Sequence, residues 1–464
     1  MIVMKFGGTS VGSPENIAKA VALVKKEPRE KVVVVSAMTK VTDSLTNIAN
    51  AIIDMPTSVV EKEVLKFQDE IYKRHKEVLD KLVKDDKVRK EAMQKIGEFA
   101  EKLKITLLGV GYLEDLTPKS LDYILSFGER FSSVVVAAVM RSKGMKAVAL
   151  TGYEAGIITD SNFGCARPIS MELEKNVKNR LMPFIEKGIT TVVTGFIAAD
   201  RQARMTTLGR GGSDYSASLL GRYLAVEEVQ IWTDVDGIMS TDPNVVKNAK
   251  LIKNISYVEA MDLAYFGAKV IHSKMIAPAM GVNIPVRVKN TFNPDCEGTL
   301  IVMEQKKIDA VVKAVAINRN VEVVNIEGIG MAETPNIAGR IFTLLGENNV
   351  NIVMISGSSE SNLSFVIDKK DVDKTIGLLR ESFGGNGVRD IGLINDVCMI
   401  TVVGAGMRGT KGIAAKIFDT VSNAGGNIIM IAQGSSEVNI AFVIKNDAAA
   451  ATINALHKRF VDDA

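Results

Sequence analysis

Two stretches near the C-terminal end of the chain are copies of one another, and they limit the fold more than any other feature. VVNIEGIGMAETPNIAGRIFTLLGENNVNIVMISGSSESNLSFVI and MITVVGAGMRGTKGIAAKIFDTVSNAGGNIIMIAQGSSEVNIAFVI align Gly330-Met331 with Gly406-Met407, Phe342 with Phe418 and Asn351-Ile352 with Asn427-Ile428, each 76 residues apart. After one inserted residue, Ser358-Ser359-Glu360 pairs with Ser435-Ser436-Glu437. A fixed offset of this kind means one supersecondary unit used twice. Each copy reads strand, glycine-containing turn, helix, strand, strand and a second helix (372–383, 448–460), which predicts a small ferredoxin-like unit. Residues 311–317, ahead of the first copy, are offered as a missing strand for the pair, and Arg459-Phe460-Val461 as a last short strand.

The second copy contains Gly404-Ala405-Gly406-Met407-Arg408-Gly409, which matches the G-x-G-x-x-G dinucleotide fingerprint. That motif also requires an acid at the end of the next strand, to hold ribose hydroxyls. Here the strand predicted at 427–432 runs into Gln433-Gly434, and no acid appears before Glu437. The first copy reads Gly328-Ile329-Gly330-Met331-Ala332-Glu333 and lacks the third glycine. The glycines are therefore read as the first turn of a repeated regulatory module.

Upstream the pattern changes. Residues 2–6 read as a strand, 15–26 as a helix, and Lys31 to Val35 as a β-branched strand covered on both faces. Val60, Val64, Phe67, Ile71, Val78 and Leu82 recur at helical spacing, so 57–118 is read as a helical insertion. Strands at 147–150, 190–197 and 229–232 alternate with helices at 171–187 and 213–224, which predicts an α/β fold with a doubly wound, mostly parallel sheet. The expected domains are 1–305, 306–392 and 393–464.

Four clusters in the first of these carry chemistry. In Lys5-Phe6-Gly7-Gly8-Thr9-Ser10-Val11-Gly12-Ser13, Ser13 stands where a P-loop needs Lys. Lys5 instead ends a strand, and the glycines leave amides open to an anion. Leu208-Gly209-Arg210-Gly211-Gly212-Ser213-Asp214 runs into a helix that Ser213 or Asp214 is expected to cap, with amides and helix dipole aimed at a phosphate. Thr233-Asp234-Val235-Asp236-Gly237 follows a buried strand, at the sheet edge where α/β enzymes bind ligands. Lys269, in Phe266-Gly267-Ala268-Lys269, follows a small-residue turn, the placing expected of a lysine that reaches nucleotide phosphates. Plain turns and a solvated lysine are the simpler readings of each cluster taken alone.

KFGGTSVGS, VVVVSAM, SFGERFSS, TTLGRGGSDYSAS, IWTDVDGI and YFGAKVIH, in this order, resemble the aspartate kinases of the amino-acid kinase family. The copies resemble the tandem ACT domains of those enzymes, so the likeness spans nearly the whole chain. The resemblance implies an amino-acid kinase domain with a helical insertion and two ferredoxin-like ACT domains. It implies transfer of the ATP γ-phosphoryl group, with Mg2+ held mainly by the ATP phosphates, to the side chain of L-aspartate in lysine, threonine and methionine biosynthesis. That carboxylate is ionised at neutral pH, so the site has to neutralise charge and needs no general base. Lys5 is implied as catalytic, with Asp234 orienting it. Gly7, Gly8, Gly211, Gly212, Ser213, Thr233, Asp234, Met239 and Lys269 are implied at ATP, and Ser36, Thr42, Glu129 and Arg167 at aspartate. Glu129 would take the ammonium, and Arg167 a carboxylate in a bidentate fork. Without the resemblance, Glu129 reads as a helix-surface ion pair and Arg167 as a loop charge.

The sequence departs from the family where relatives often read G-I-Y-T-T-D-P-R. It has Gly237-Ile238-Met239-Ser240-Thr241-Asp242-Pro243-Asn244, so Asn244 supplies no cation there and more of that role falls to Lys269. Ser273 replaces the usual Pro. The ACT-like pair implies feedback by lysine or threonine, with Met331, Ile337, Ala338, Asn351, Ile352 and Ser358 as effector candidates, and a homodimer or homotetramer joined through these domains. Another acceptor for the kinase, or a non-catalytic amino-acid sensor, are the alternatives. A net charge of +3 argues against a nucleic-acid surface. The widely spaced Cys165, Cys296 and Cys398 argue against structural zinc and for a reducing, cytoplasmic setting. No run reads as a signal peptide or a membrane span, so no membrane partner is expected.

Overall fold

The computed structural model describes residues 1–267, 273–303, 310–327, 337–359, 362–383 and 389–463. It forms two compact units, 1–238 with 253–257 and 270–304, and 239–252 with 258–269 and 305–464.

The first unit is built on an eight-stranded sheet, in the spatial order Ala147–Leu150, Thr190–Thr194, Lys31–Val35, Ile2–Phe6, Glu228–Thr233, Val286–Asn290, Thr299–Val302, Asn254–Ser256. Every pair is parallel except Val286–Asn290 with Thr299–Val302. Ile2–Phe6 and Lys31–Val35 are buried almost throughout, as parallel strands covered on both faces must be. The chain builds outward from Ile2–Phe6 on one side and returns on the other, so the topological switch lies beside this first strand. The run expected as one strand over 190–197 is two, Thr190–Thr194 and Ile197–Asp200. The chain turns at Phe196 (φ 64°), and a Cβ on Gly195 would sit 2.6 Å from the Ser213 Cβ. Close approach of the following helix forces the break.

The insertion is a hairpin of Thr57–Leu82 and Asp86–Leu113, with Asp85 accepting from the Lys87 and Val88 amides at the second N-terminus. It packs on Pro118–Ser142, the central helix of the unit. That helix is long and apolar enough to cross a membrane by length and composition, which corrects the expectation that no run is, but 78% of the window is buried within the protein. His75 is fully buried here, with its ring stacked 4.7 Å from Phe131.

In the second unit each copy contributes a helix-backed antiparallel sheet. One sheet has the order Ala314–Asn318, Val397–Val403, Asn439–Lys445, Met430–Ala432, and the other Ile352–Ser359, Asn362–Asp368, Val321–Glu327, Asp390–Ile394. The strand ahead of the first copy thus pairs with the second copy, Ala314 opposite Val403. The expected strand at Arg459-Phe460-Val461 is instead a π-helical turn, Lys458–Asp462, continuing the last helix. Asp462 is held there by the His457 ring, Asn248 and Lys250. Residues 239–252, expected in the first domain, belong to this unit. Val315 N donates to Ser240 O (2.7 Å), the Ser240 hydroxyl meets His457 Nε2 (2.8 Å), and Val246 enters the core of the second copy.

The dinucleotide-like glycines are closed off internally. The Ala405 amide donates to Glu259 (2.6 Å) and the Gly409 amide to Glu437 (2.7 Å). Asn439–Lys445 lies between Val397–Val403 and Met430–Ala432, antiparallel to both, where a dinucleotide fold needs adjacent parallel strands.

Burial drives the His75 pKa down to about 4, against the pull of its bond to Ile71 O. The imidazole is neutral in the native state and charges on unfolding, so its contribution is complete above pH 6.5 and is lost as pH falls from there toward 4. His75→Leu is expected to reduce the loss of unfolding free energy between pH 7 and pH 5 by about 2 kcal/mol, measured by urea titration. An unchanged pH dependence would show that His75 is not responsible.

Candidate active site

At the carboxyl ends of Ile2–Phe6 and Lys31–Val35 a cleft of about 370 Å³ opens beside the switch point. Thirteen of the residues that shape it come from two loops, Ser36 to Asp43 and Gly209 to Asp214, joined by Lys5, Gly8, Phe196 and Glu129. Of the residues expected from sequence, Lys5, Gly8, Ser36, Thr42, Glu129, Gly211, Gly212 and Ser213 therefore meet in one place.

Lys5 is only 8% exposed and its Nζ lies 2.5 Å from Asp214 Oδ1. The partner of Lys5 is thus Asp214, not Asp234. Asp234 is exposed, accepts from its neighbour Thr233 (3.1 Å), and with Thr233 lies outside the lining of the cleft. Asp214 stands in the first turn of Gly212–Leu224, which comes back beside Ile2–Phe6. From sequence it is expected only to cap this helix. The cap is instead Gly211 in the left-handed conformation (φ 72°), with no side-chain bond.

The amides divide differently from expectation. Gly7 N donates to Trp232 O (3.0 Å) and Gly212 N to Gly209 O (3.0 Å), so both are engaged in turns. The Gly8, Gly211 and Ser213 amides have no such acceptor among the described residues, and they are the donors left for an anion. Gly12 is required by proximity, since a Cβ there would lie 2.4 Å from the Thr39 hydroxyl, which donates to Gly8 O (2.8 Å). Ser13 caps the following helix by accepting from Asn16 N.

Glu129 projects from Pro118–Ser142 into the cleft, 3% exposed. Oε1 accepts from the Ala37 amide (3.1 Å), while Oε2 is buried with no hydrogen-bond partner among the described residues. Burial pushes its pKa up to about 8, and the Ala37 bond and the Lys5 charge offset only part of this. The helix-surface reading of Glu129 is therefore wrong: it is a buried acid with a free oxygen.

Arg167 is exposed and does not line the cleft. Its loop is strapped to the glycine loop, with Ala166 N donating to Thr207 O (2.8 Å) and the Cys165 sulfur 3.2 Å from where a Gly209 Cβ would be. Met239 falls in the second unit, half-buried, its backbone bridged to Leu251. Lys269 and Met331 lie outside the described residues. Ile337 and Ala338 open the helix Ile337–Glu347, Asn351 is exposed, and Ile352 O accepts from Tyr265 (3.1 Å). Ser358 belongs to the strand Ile352–Ser359.

Three supports of the site carry no sequence signal. Lys40, in the cleft, has φ 64°, a left-handed backbone that a lysine adopts only where its surroundings impose it. Arg74, from the insertion, donates to Thr39 O (2.7 Å). Asp122 is buried and accepts from Gly164 N, Thr207 N and the Thr207 hydroxyl, at 2.7 to 2.9 Å. None carries a motif. Asp122→Ala would strand two amides and is expected to cost about 1–3 kcal/mol, read as a lower urea midpoint. A midpoint equal to that of the parent would exclude this tie.

Residues 1–290 match the amino acid kinase family, and residues 324–383 and 400–460 the ACT domain. The Arabidopsis thaliana bifunctional aspartokinase/homoserine dehydrogenase 1 is 33% identical over 99% of this chain and 51% of its own, so the chain spans about half the length of that curated relative. Aspartokinase 3 of the same plant is 32% identical over 99% of this chain and 81% of its own. Crystal structures of E. coli aspartokinase III, in complex with aspartate and ADP (TM-score 0.84) and with lysine and aspartate (0.82), are 27% identical and cover 99% of both chains. The chain belongs to the amino acid kinase family, among the aspartokinases that carry paired ACT domains.

Proposed function

We propose that this chain is an aspartate kinase, in which a side-chain oxygen of L-aspartate attacks the γ-phosphorus of Mg-ATP and ADP leaves, giving 4-phospho-L-aspartate. The observation that carries this reading is the buried Glu129, whose unpartnered Oε2 faces a cleft that also holds Lys5. A free carboxylate oxygen suits the substrate ammonium, and an enclosed ammonium suits oxygens whose charge grows in the transition state. E. coli aspartokinase III, so similar over its whole length, was crystallised with aspartate and ADP.

In this reading Asp214 positions Lys5, and Lys5 with the Gly8, Gly211 and Ser213 amides neutralises the transferring group. Ser36 and Thr42 line the aspartate side, and Arg167 binds a carboxylate once its loop turns toward the cleft. Thr233, Asp234, Met239 and Lys269 remain candidates for the nucleotide. Asp214 and Asp43 are carboxylates of the kind Mg2+ accepts beside the ATP phosphates, whose charge it would neutralise. The ACT pair takes an amino-acid effector, lysine or threonine, near Ile337, Ala338, Asn351, Ile352, Met331 and Ser358. The edge strands Ile352–Ser359 and Met430–Ala432 expose Ile355 and Ile431, which suits a dimer or tetramer joined at these sheets. The compartment proposed is the cytoplasm, although the plant relatives are named chloroplastic.

Turnover of ATP with aspartate, repeated with lysine and with threonine, tests the activity. Lys5→Met should lower kcat by roughly 10²-fold, the size of a lost charge-stabilising group. Asp214→Asn should cost more than Asp234→Asn, and the opposite ranking would return the orienting role to Asp234. Because Glu129 without ligand is protonated below about pH 8, taking up an ammonium must ionise it. Aspartate binding at pH 7 is expected to release about one proton, to gain affinity with rising pH until about 8, and to lose this dependence in Glu129→Gln. Calorimetry in buffers of different ionisation enthalpy measures it, and binding without proton release would remove Glu129 from the ammonium site.

A further inference from the structure

A second cavity of about 630 Å³ lies in the catalytic unit and shares no lining residue with the cleft. Its size is typical of small-molecule sites. One wall is the helix Pro118–Ser142, with Lys119, Ser120, Tyr123 and Arg130, and the opposite side includes Tyr153 and Met205. Arg130 directly follows Glu129, yet the proposed reaction gives it nothing to do.

The guanidinium carbon of Arg130 lies 4.4 Å from the centroid of Phe99 and 4.6 Å from that of Phe127, with Tyr123 at 6.0 Å. Its faces are thus occupied by rings. Its terminal nitrogens are free to pair: among the described residues they donate to no acceptor and make no ion pair, while Nε is buried with no hydrogen-bond partner. Of the other charges on the lining, Arg204 is paired with Asp200 (2.6 Å), while Glu154 accepts from the Thr151 amide (2.7 Å) and hydroxyl (2.9 Å). Lys119 is an exposed second cation at the rim. A half-buried guanidinium with rings on its faces and both terminal nitrogens unpaired matches the two coplanar oxygens of a carboxylate.

We propose that this cavity binds a small organic carboxylate with an apolar, ring-sized body. The carboxylate lies on the edge of Arg130, and the body rests against Tyr123, Tyr153 and Met205. An inorganic anion would satisfy Arg130 but leave the apolar wall wet. An apolar amine would meet Arg130 and Lys119 as like charges.

Calorimetric titration of the full chain with 3-phenylpropionate, phenethylamine and inorganic phosphate tests this. The carboxylate is expected to bind with a Kd of about 1 mM or tighter, and the other two not to bind in that range. Arg130→Lys should weaken binding about tenfold, since an ammonium has no planar fork. Should that variant unfold, Thr106→Trp fills the cavity from another wall, leaves Arg130 in place, and should abolish binding with the urea midpoint retained. No binding of 3-phenylpropionate, equal binding of phosphate, or binding that survives Thr106→Trp would each overturn the proposal.

Discussion

Lys5 is a cation held almost out of water at the end of the central strand, and much of the cleft follows from the need to keep it there. An enclosed ammonium is stable only beside an opposite charge, and breaking such a pair typically costs about 3–5 kcal/mol. The partner, Asp214, arrives on a helix that begins hard against the sheet. That approach requires Gly195 to have no side chain and Gly211 to turn in the left-handed region. The glycine loop is thus what brings a helix terminus, three unengaged amides and the balancing carboxylate to one point, as much as it is a surface for phosphate.

The helix Pro118–Ser142 links this point to the rest of the unit. Asp122 and Glu129 are two turns apart and share a face. The first holds the Arg167 loop and the strand feeding the glycine loop, and the second enters the cleft. Arg130, one residue on, is rotated about 100° away and faces the second cavity. An apolar helix with this length would pass for a membrane span, but its polar residues fall where loops and cavities need them.

Neither ACT copy completes its sheet from its own repeat. Ala314–Asn318 joins the second copy and Asp390–Ile394 the first. The first copy is therefore inserted into the second rather than following it. Val323, Met354, Val366, Met399, Met430 and Val443 form a core common to both sheets, so the pair behaves as one body. A ligand that shifts one sheet must repack that core, which suits the regulatory role proposed for it.

Periodicity and local chemistry made most of the fold legible. The buried β-branched strands, the helical hairpin, the repeat and the second copy's missing ribose acid were all readable because each depends on residues close in sequence. Lys5, Glu129 and the glycine loops were recognised through family motifs. Their arrangement was not, since a motif names residues without stating which pairs touch. In sequence Asp214 reads as a cap and Asp234 as the partner of Lys5, Gly7 as a free amide, 190–197 as one strand and 459–461 as another. Asp122, Arg74 and Lys40 sit in no motif. The sequence by itself determined which segments fold and which residue types the cleft has available. Only the tertiary structure decided which charges pair, which amides stay open and which copy takes the strand ahead of the first, because those choices depend on close approach between segments up to some two hundred residues apart.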